Sequence, residues 1–340
     1  MKMKAIGYKL PLPITDEDSL IDIELPTPSA KGRDLLVEVR AISVNPADAK
    51  LRATSKPEPG KYKILGFDAA GIVKEVGSET SLFKPGDEVF YAGSVIRPGT
   101  NSEYHLVDER IVGRKPKTLD FTQSAALPLT TLTAWELLFD RLQIPRDGGE
   151  GSILVTGAAG GVGSVLLQIA RHLTKLNIIG TASRPETKEW CVRHGAHAVI
   201  DHTKSMVEQL RQIGAPSVHY VAGLNATEQH FPDLVELLAP QGKIGVIDDP
   251  KTLDVKPLKR KAAALCWESM FTRSLYETED MMVQHNILNE AADLVEKGVL
   301  KTTSAHDLGT INAANLKKAH ALLETGRSHG KIVLTGFLNT

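Results

Sequence analysis

A glycine-rich turn near the middle of the chain carries the strongest chemical signal in the sequence. The β-branched run Ile153–Val155 leads into the turn 156–163, and an apolar helical pattern follows over Gly163–Leu173. This order binds the pyrophosphate of a dinucleotide, because glycines allow close approach and the helix start offers backbone amides without helical partners. A tight turn without a ligand is the alternative. The residues expected to contact the pyrophosphate are Ala159, Gly160, Gly161 and Val162.

The residues after the next predicted strand favour a phosphorylated ribose. The strand 178–182 ends in Ser183 and Arg184, where an NAD site carries the Asp or Glu that bonds the ribose 2′-hydroxyl. A carboxylate would repel a 2′-phosphate, whereas a hydroxyl and a guanidinium can hydrogen-bond it. The expected cofactor is therefore NADPH, bound by Ser183 and Arg184 with Lys188 nearby. The alternative is that these are solvated charges at a helix start.

Residues that could ligate zinc are scarce. The chain has two cysteines, Cys191 and Cys266, and its first 104 residues contain neither cysteine nor histidine. A zinc site needs about four Cys, His or carboxylate ligands. His194 and His197 are close in sequence to His202, but we expect them at a helix end, a turn and a strand end, where they need not converge. The sequence therefore predicts no metal site.

These candidate residues lie in a chain whose second half alternates strands and helices, which predicts a doubly wound parallel sheet. The first 115 residues instead consist of short β-branched runs between Gly, Pro and Asp turns, as expected of a β-rich domain. Helical spacing over Thr122–Leu142 places a boundary near residue 125. The further predicted elements are strands 177–181, 198–200, 219–222, 243–247 and 331–334, and helices 186–194, 206–213, 230–238, 280–296 and 313–324.

Length and composition limit the classes of partner. At 340 residues the chain should form two domains, each with its own core. Lys plus Arg number 40 against 41 for Asp plus Glu, so no overall charge attracts nucleic acid or an anionic membrane. A small molecule is the expected partner. Few cysteines, no secretory signal and no 18-residue apolar run indicate a cytoplasmic protein.

The glycine turn and the order of strands accompany further segments by which the chain resembles the medium-chain dehydrogenase/reductase superfamily. The similarity extends over nearly the whole chain and is greatest to the zinc-free, quinone oxidoreductase-like branch. The segments that carry it are 43–48 (SVNPAD), 65–71 (LGFDAAG), 84–89 (KPGDEV), 132–135 (LTAW) and 158–163 (AAGGVG), with Gln168 and Arg171 downstream.

This resemblance implies an α/β protein with a chaperonin-10-like, β-rich catalytic domain and a doubly wound Rossmann domain. The catalytic domain would comprise residues 1–125 and 271–340, with the NADPH-binding domain, 126–270, inserted between them and a cleft between the two. Members are usually homodimers joined through the edge strands of their Rossmann sheets. The apolar run Ala262–Trp267 lies where that edge strand is expected, although an interior strand is the alternative.

Zinc-containing members of the superfamily carry ligands that this chain lacks. They have a Gly-His-Glu segment where this chain has Gly66-Phe67-Asp68, and a ligand cysteine where it has Asn45. The four-cysteine structural lobe is also missing. The resemblance therefore implies the fold of the zinc enzymes without their metal.

The resemblance also assigns roles to single residues. Asn45 would contact the nicotinamide ribose or the substrate, and Thr133 would reach the cofactor, unless the first forms only a turn and the second only packs in the core. Ile247 and Lys331 are expected near the cofactor. His202 follows the third strand, where similar reductases place a ring against the adenosine phosphate.

Without a metal, the protein would have to stabilise a developing oxyanion by hydrogen bonds. This favours acceptors that are already electrophilic, namely quinones or α,β-unsaturated ketones and aldehydes, and the sequence does not separate quinone from enone reduction. Tyr91, Phe67 and Lys50 are the candidates for the acceptor pocket, with Tyr91 or Lys50 as proton donor. The alternative is that each is only structural, since Phe67 and Tyr91 lie among predicted core strands. Asp48 is expected to act as a hydrogen-bonding brace. A protein that binds NADPH without catalysis remains the alternative from another class.

Overall fold

The structure is a computed structural model that describes residues 1–337, and the chain forms two units. One comprises Met1–Leu132 and the chain from Phe271 onward, and the other comprises Thr133–Met270. The first predicted boundary, residue 125, thus lies within the first unit, because helices that follow Asp120 pack on its strands. Residues 338–340 of the predicted catalytic segment 271–340 lie outside the described residues.

The strands and helices are numbered here in chain order. The strands are β1 (Lys2–Tyr8), β2 (Ile21–Pro26), β3 (Asp34–Val44), β4 (Lys63–Ile64), β5 (Asp68–Val76), β6 (Glu88–Ala92), β7 (Tyr104–Asp108), β8 (Val112–Arg114), β9 (Ser152–Val155), β10 (Asn177–Thr181), β11 (Ala198–Ile200), β12 (Val218–Gly223), β13 (Leu238–Val246), β14 (Ala264–Trp267), β15 (Ser304–Thr310) and β16 (Lys331–Thr335). The α-helices are α1 (Pro46–Thr54), α2 (Phe121–Ala125), α3 (Pro128–Trp135), α4 (Gly161–Leu173), α5 (Pro185–Arg193), α6 (Met206–Gln212), α7 (Thr227–Leu237), α8 (Thr272–Leu275), α9 (Met282–Glu296) and α10 (Ala313–Glu324).

The main sheet of the first unit brings three distant segments together. Its strands run in the order β15-β16-β3-β5-β6-β8, with β7 also paired to β3. β3 is antiparallel to both β5 and β16, and the register sets Ser43 opposite Asp68 and Val44 opposite Ile332. The end of β3 therefore meets the beginnings of β5 and β16. This register places residues 43–45, 68 and 331 side by side.

The core of the first unit lies beneath this sheet. Leu35, Val37 and Val39 on β3 are buried with Ile332 and Leu334 on β16 in one hydrophobic cluster. Alternate residues of a strand point to opposite faces, so these apolar positions fix the face on which each neighbouring polar residue lies.

The second unit contains the predicted doubly wound sheet. Its strand order within the described residues is β11-β10-β9-β12-β13-β14, and all of these pairs are parallel. The turn from β9 into α4 is tight, because a Cβ on Gly163 would lie 2.5 Å from the carbonyl oxygen of Ala158. Only glycine lets α4 pack this closely. The fold class predicted from the alternating pattern is confirmed.

Two features of this unit bear on its partners. Among residues 1–337, β14 pairs in the sheet with β13 alone, so the apolar run Ala262–Trp267 does not supply an interior strand there. Trp267 at the end of β14 is 56% exposed. Among residues 1–337, no helix is both long enough and apolar enough to span a membrane.

Candidate functional site

A buried polar cluster lies where β3, β5 and β16 meet in the first unit, and Asp68 is at its centre. One carboxylate oxygen of Asp68 accepts hydrogen bonds from Ser43 Oγ (2.8 Å), Asn45 Nδ2 (2.8 Å) and Lys331 Nζ (3.0 Å). The other accepts from the backbone amide of Leu129 (2.7 Å). Asp68 is 0% exposed, so these donors replace all of its hydration. We call Ser43, Asn45, Asp68 and Lys331 the Asp68 cluster.

Lys331 supplies the positive charge of the cluster. Its Nζ donates to Asp68, to the side-chain oxygen of Asn45 and to the carbonyl of Val44 (3.3 Å). The residue is 3% exposed. An ammonium has three hydrogens, and these three oxygens use all of them. The ammonium of Lys331 therefore contacts the protein's own oxygens, and its expected place near the cofactor stays a prediction.

Asn45 occupies the junction between β3 and α1. Its backbone amide donates to Asp48 Oδ2 (2.8 Å), while Pro46 begins the helix. Its side-chain oxygen faces Lys331 and its side-chain nitrogen faces Asp68. One Nδ2 hydrogen goes to Asp68, and the second has no recorded acceptor among residues 1–337. Asn45 thus forms the predicted turn, and its second Nδ2 hydrogen is the one that could be donated to a ligand.

Asp48 braces this junction, as the sequence predicts. Its second carboxylate oxygen accepts from the amide of Gly66 (2.9 Å), which ties α1 to the segment before β5. Gly66 has φ +102°, and a Cβ there would lie 2.5 Å from Thr100 Oγ1, so the position requires glycine. Burial raises the pKa of Asp48 to about 7.

The two predicted proton donors lie outside the cluster. Tyr91 is 0% exposed, and its hydroxyl is 3.1 Å from Nδ1 of His105. Because His105 Nε2 lies 2.9 Å from the carbonyl oxygen of Pro98, Nε2 carries the proton and Nδ1 accepts from Tyr91. Lys50 lies on an exposed face of α1. Tyr91 thus has a buried partner and Lys50 faces solvent, and the proton-donor role of each stays a prediction.

Phe67, the other candidate for an acceptor pocket, is packed inside the first unit. It is 3% exposed, and its ring contacts that of Phe271 edge-on at a centroid distance of 4.9 Å. Burial also raises the pKa of Tyr91. Phe67 and Tyr91 therefore pack among the strands that carry the cluster, and their predicted place in an acceptor pocket stays a prediction.

The glycine turn of the second unit presents the geometry expected of an anion site. Gly160 is the N-cap of α4, and Gly161 and Val162 form its first turn. Amides of a first helical turn have no carbonyl partner within the helix, and the helix dipole adds positive potential there. A Cβ on Gly160 would meet nothing closer than the Gly157 carbonyl at 3.2 Å, so space remains above the turn.

The predicted ribose-phosphate residues follow β10, and each cation there has an acidic neighbour. Arg184 is the N-cap residue of α5, and its Nε lies 2.9 Å from Glu186 Oε1. Lys188 Nζ lies 4.0 Å from Asp201 Oδ2. Both cations remain more than a third exposed, so a ligand phosphate could reach them. The sequence analysis did not name Glu186 or Asp201 as partners; Glu186 is two positions from Arg184, whereas Asp201 lies on the far side of β11 from Lys188 in the sequence.

The remaining predicted cofactor residues lie on separate elements. His202 follows β11, and its ring is 6.0 Å from that of His230 on α7. Ile247 follows β13 and is partly exposed, with its amide donating to the Gly223 carbonyl (3.1 Å). Thr133 is 5% exposed on α3. None of these positions contradicts its predicted role, and none of the contacts tests it.

The histidines that suggested a metal have structural partners. His194 stacks on Trp190 at 4.3 Å, and His197 Nδ1 accepts from the amide of Ile178 (3.0 Å). Within the part of the chain that the structure describes, no three His, Cys, Asp or Glu side chains form a group that could hold a metal ion. His194 and His197 are thus explained by stacking and by a backbone hydrogen bond.

Two models of protein families match the chain. Residues 31–117 match a family described as the alcohol dehydrogenase GroES-like domain, and residues 194–334 match one described as zinc-binding dehydrogenase. The first match covers β3 to β8 and confirms the predicted chaperonin-10-like domain. The second raises the question of a metal, which the donor atoms of the Asp68 cluster can address.

The residues of the Asp68 cluster do not fit zinc. Zinc prefers thiolate, imidazole and carboxylate ligands in a tetrahedral set, whereas the cluster offers one carboxylate, one amide oxygen and one hydroxyl. The ammonium of Lys331 already lies 3.0 Å from the carboxylate, and a second cation there would be repelled. The family description therefore disagrees with the donor atoms of this chain.

Comparison with individual proteins identifies the family. A zinc-type alcohol dehydrogenase-like protein of Staphylococcus aureus is 37% identical over 98% of this chain and 99% of its own length. The human quinone oxidoreductase is 33% identical over 69% of the chain and 70% of its own. A crystal structure of a putative zinc-dependent alcohol dehydrogenase from Rhizobium etli is 52% identical, covers 100% of this chain and 99% of its own, and superposes with a TM-score of 0.95. The chain therefore belongs to the medium-chain dehydrogenase/reductase superfamily and is an oxidoreductase.

Proposed function

We propose that the protein is an NADPH-dependent reductase that transfers hydride, without zinc, to a quinone or a similarly electrophilic carbonyl acceptor. The Asp68 cluster is the observation that carries this proposal. It combines an internal ammonium, which leaves no place for a metal, with an amide hydrogen of Asn45 that no described residue accepts. The similarity to a quinone oxidoreductase supports the class of acceptor.

The second unit would bind the phosphates of the cofactor. The first amides of α4 would donate to the pyrophosphate, and Ser183 and Arg184 would bond the ribose 2′-phosphate. The guanidinium of Arg184 would either release Glu186 to bond the phosphate or bond both groups at once. The second case is allowed because a guanidinium has five N–H hydrogens. Bound NADPH supplies the hydride.

The first unit would act on the acceptor. As charge develops on an acceptor oxygen, the second Nδ2 hydrogen of Asn45 would donate to it, and a donor already oriented needs no reorganisation. Neither Tyr91, which donates to His105, nor Lys331, whose hydrogens are all in use, is placed to supply the proton. Hydride transfer would convert a quinone to a hydroquinone monoanion and an enone to an enolate. Both anions take a proton readily from water, so water would supply it.

Turnover with a panel of acceptors tests the proposal. NADPH oxidation would be followed with ortho-quinones, para-quinones, enones and simple aldehydes, and NADH would be run in parallel. We expect rapid, NADPH-selective turnover with quinones and slow turnover with aldehydes. Selective turnover with enones would show that the acceptor is an enone instead of a quinone. NADPH binding without turnover of any acceptor would make the protein a nicotinamide-binding protein.

We also propose that two copies associate through β14. The strand is the sheet edge next to β13, and its residues are partly or fully exposed in the single chain. An exposed edge offers unpaired amides and carbonyls to a second copy. Light scattering should give a dimer for the native protein and a monomer for Trp267→Glu. An unchanged dimer in several such edge variants would place the interface elsewhere.

A further inference from the structure

We propose that Lys331 is a positioning residue: its ammonium is the fixed cation of the Asp68 cluster, and it orients the Asn45 amide toward the acceptor oxygen. The inference deepens the proposed function and rests on it. It assigns to Lys331 an effect on the reaction through Asn45, with no contact to the cofactor or the acceptor.

The orientation of the amide follows from the charges on its two sides. The ammonium of Lys331 faces one end of the Asn45 side chain, and the carboxylate of Asp68 faces the other. A flipped amide would place its NH2 group against the ammonium and its oxygen against the carboxylate. Both contacts would be repulsive, and both flanking groups are buried. The ion pair therefore selects one orientation of the amide and so fixes the position of the Nδ2 hydrogen that Asp68 does not accept.

The same contacts exclude two other roles for Lys331. Its three hydrogens are directed to Asn45, Asp68 and the Val44 carbonyl, so none remains for a substrate. A stabilising role alone also explains it poorly. Buried ion pairs usually add little stability over apolar side chains of similar volume, because desolvation offsets their attraction. Orientation of Asn45 is the effect that apolar side chains could not reproduce.

Lys115 offers a matched control in the same unit. It too is a buried lysine, 7% exposed, and its Nζ donates to the carbonyls of Pro116 (3.0 Å) and Leu119 (2.7 Å) and lies 3.1 Å from Glu88. It has no contact with the Asp68 cluster in these bonds. If Lys331 had only a structural role, Lys331→Ala and Lys115→Ala should therefore have similar effects on kcat.

Chemical rescue provides the first readout. Lys331→Ala should lower kcat on the order of 100-fold, as expected when a reacting group is misplaced, with the KM for NADPH nearly unchanged. Propylammonium, which replaces the missing side chain and its charge, should raise the kcat of Lys331→Ala at least about 10-fold. Propanol should not, and Lys115→Ala should neither lose kcat nor respond to the amine. A folded Lys331→Ala with normal kcat, or one that propanol rescues equally, would overturn the inference.

The second readout does not need turnover. The side-chain NH2 resonances of Asn45, in protein with nitrogen-labelled asparagine and assigned by their loss in Asn45→Ser, should move or broaden in Lys331→Ala. Propylammonium should return them toward their native positions, and Lys115→Ala should leave them in place. Unchanged resonances in Lys331→Ala would refute the positioning role. An inactive native protein with the expected resonances would instead refute the proposed function alone.

If Lys331→Ala does not fold, two further variants keep the test decisive. Lys331→Met retains most of the side-chain volume, and Asp68→Asn combined with Lys331→Met removes both charges. Both variants should show the loss of kcat, because neither holds the Asn45 amide by charge. Normal kcat in the double variant would overturn the inference.

Discussion

The Asp68 cluster and the proposed phosphate-binding region of the second unit are organised for a ligand in different ways. That region comprises the glycine turn at the start of α4 together with Ser183, Arg184 and Lys188. The cluster gathers residues from positions 43, 45, 68 and 331, buries them and satisfies nearly every polar atom with a protein partner. The phosphate-binding region is formed by residues close in sequence, uses backbone amides, and keeps Arg184 and Lys188 more than a third exposed. The first region is organised before a ligand binds, whereas the second retains partners that a ligand can replace.

This difference predicts how each region responds to substitution. Removing Asp68 or Lys331 leaves the other buried charge without its counter-charge, which lowers the free energy of unfolding strongly. Removing one partner of the exposed pairs returns a charge to water at little cost. The cluster should therefore control stability and orientation together, and the phosphate-binding region should control affinity alone. The predictions below test this contrast, beginning with the largest effect.

Asp68→Ala should lower the free energy of unfolding by about 3–5 kcal/mol, because Lys331 would stay buried without its counter-charge. Glu186→Gln, which removes the partner of the exposed Arg184, should change it by less than about 1 kcal/mol. Urea unfolding of both variants measures the difference. Similar losses in the two variants would remove the contrast between the regions.

Gly163→Ala should weaken NADPH binding by about 10-fold or more, since the new Cβ would collide with the Ala158 carbonyl and push α4 from the turn. Titration calorimetry gives the affinity directly. Gly214→Ala is the matched control: its Cβ would meet no heavy atom within 4 Å, although it strains the backbone at φ +78°. Equal losses of affinity would contradict a specific role for the glycine turn.

Arg184→Ala should raise the KM for NADPH about 10-fold more than the KM for NADH, because only NADPH carries the 2′-phosphate. Glu186→Gln should lower the KM for NADPH modestly, since it removes a competitor for the guanidinium. Steady-state kinetics with both cofactors distinguish these effects. Equal changes for NADPH and NADH would refute the phosphate assignment.

The buried His320 on α10 predicts a pH effect on stability in the first unit. Burial lowers its pKa from 6.5 to about 3, and nearby Arg52 contributes. The unfolded chain therefore binds a proton that the folded chain does not, so stability is present above pH 6.5 and is lost as pH falls toward 3. His320 should account for a loss of about 0.7 kcal/mol between roughly pH 7 and pH 6. Urea unfolding of His320→Phe at both values should show a smaller loss than the native protein, and an equal loss would refute the assignment.

Removal of metal should have no effect. Prolonged dialysis against a chelator should leave NADPH oxidation unchanged, and metal analysis of the purified protein should find far less than one zinc per chain. One zinc per chain, with activity that returns only when zinc is added back, would contradict the assignment of Lys331 as the cation of the cluster.

Local sequence patterns predicted the second unit well. The alternation of strands and helices and the glycine turn are set by contiguous residues, so periodicity places them without knowledge of the fold. The helix predicted over 313–324 matches α10 of the first unit for the same reason. Predicted bounds were less exact at helix starts, as in α7, which begins at Thr227 instead of His230.

The roles of Lys331, Tyr91 and Lys50 were not predictable in this way. A lysine at the start of an apolar strand and an aspartate before the small residues of β5 are signals of buried charge, but neither residue names its partner. The resemblance placed Lys331 near the cofactor, and Tyr91 could have faced a pocket as readily as the core. Strand register and side-chain direction give the contacts of Lys331 and Tyr91, whereas their roles stay predictions.

The sequence by itself determined the dinucleotide-binding turn, the scarcity of zinc ligands, the Ser183-Arg184 pair and the class of each domain. These depend on residue type and short spacing, which the backbone converts directly into local structure. Only the tertiary structure decided that Lys331 pairs with Asp68 and that the Asn45 side chain contacts both of them. Residues 45 and 331 become neighbours because β16 joins β3 in an antiparallel register, and that pairing is set by the packing of the whole unit.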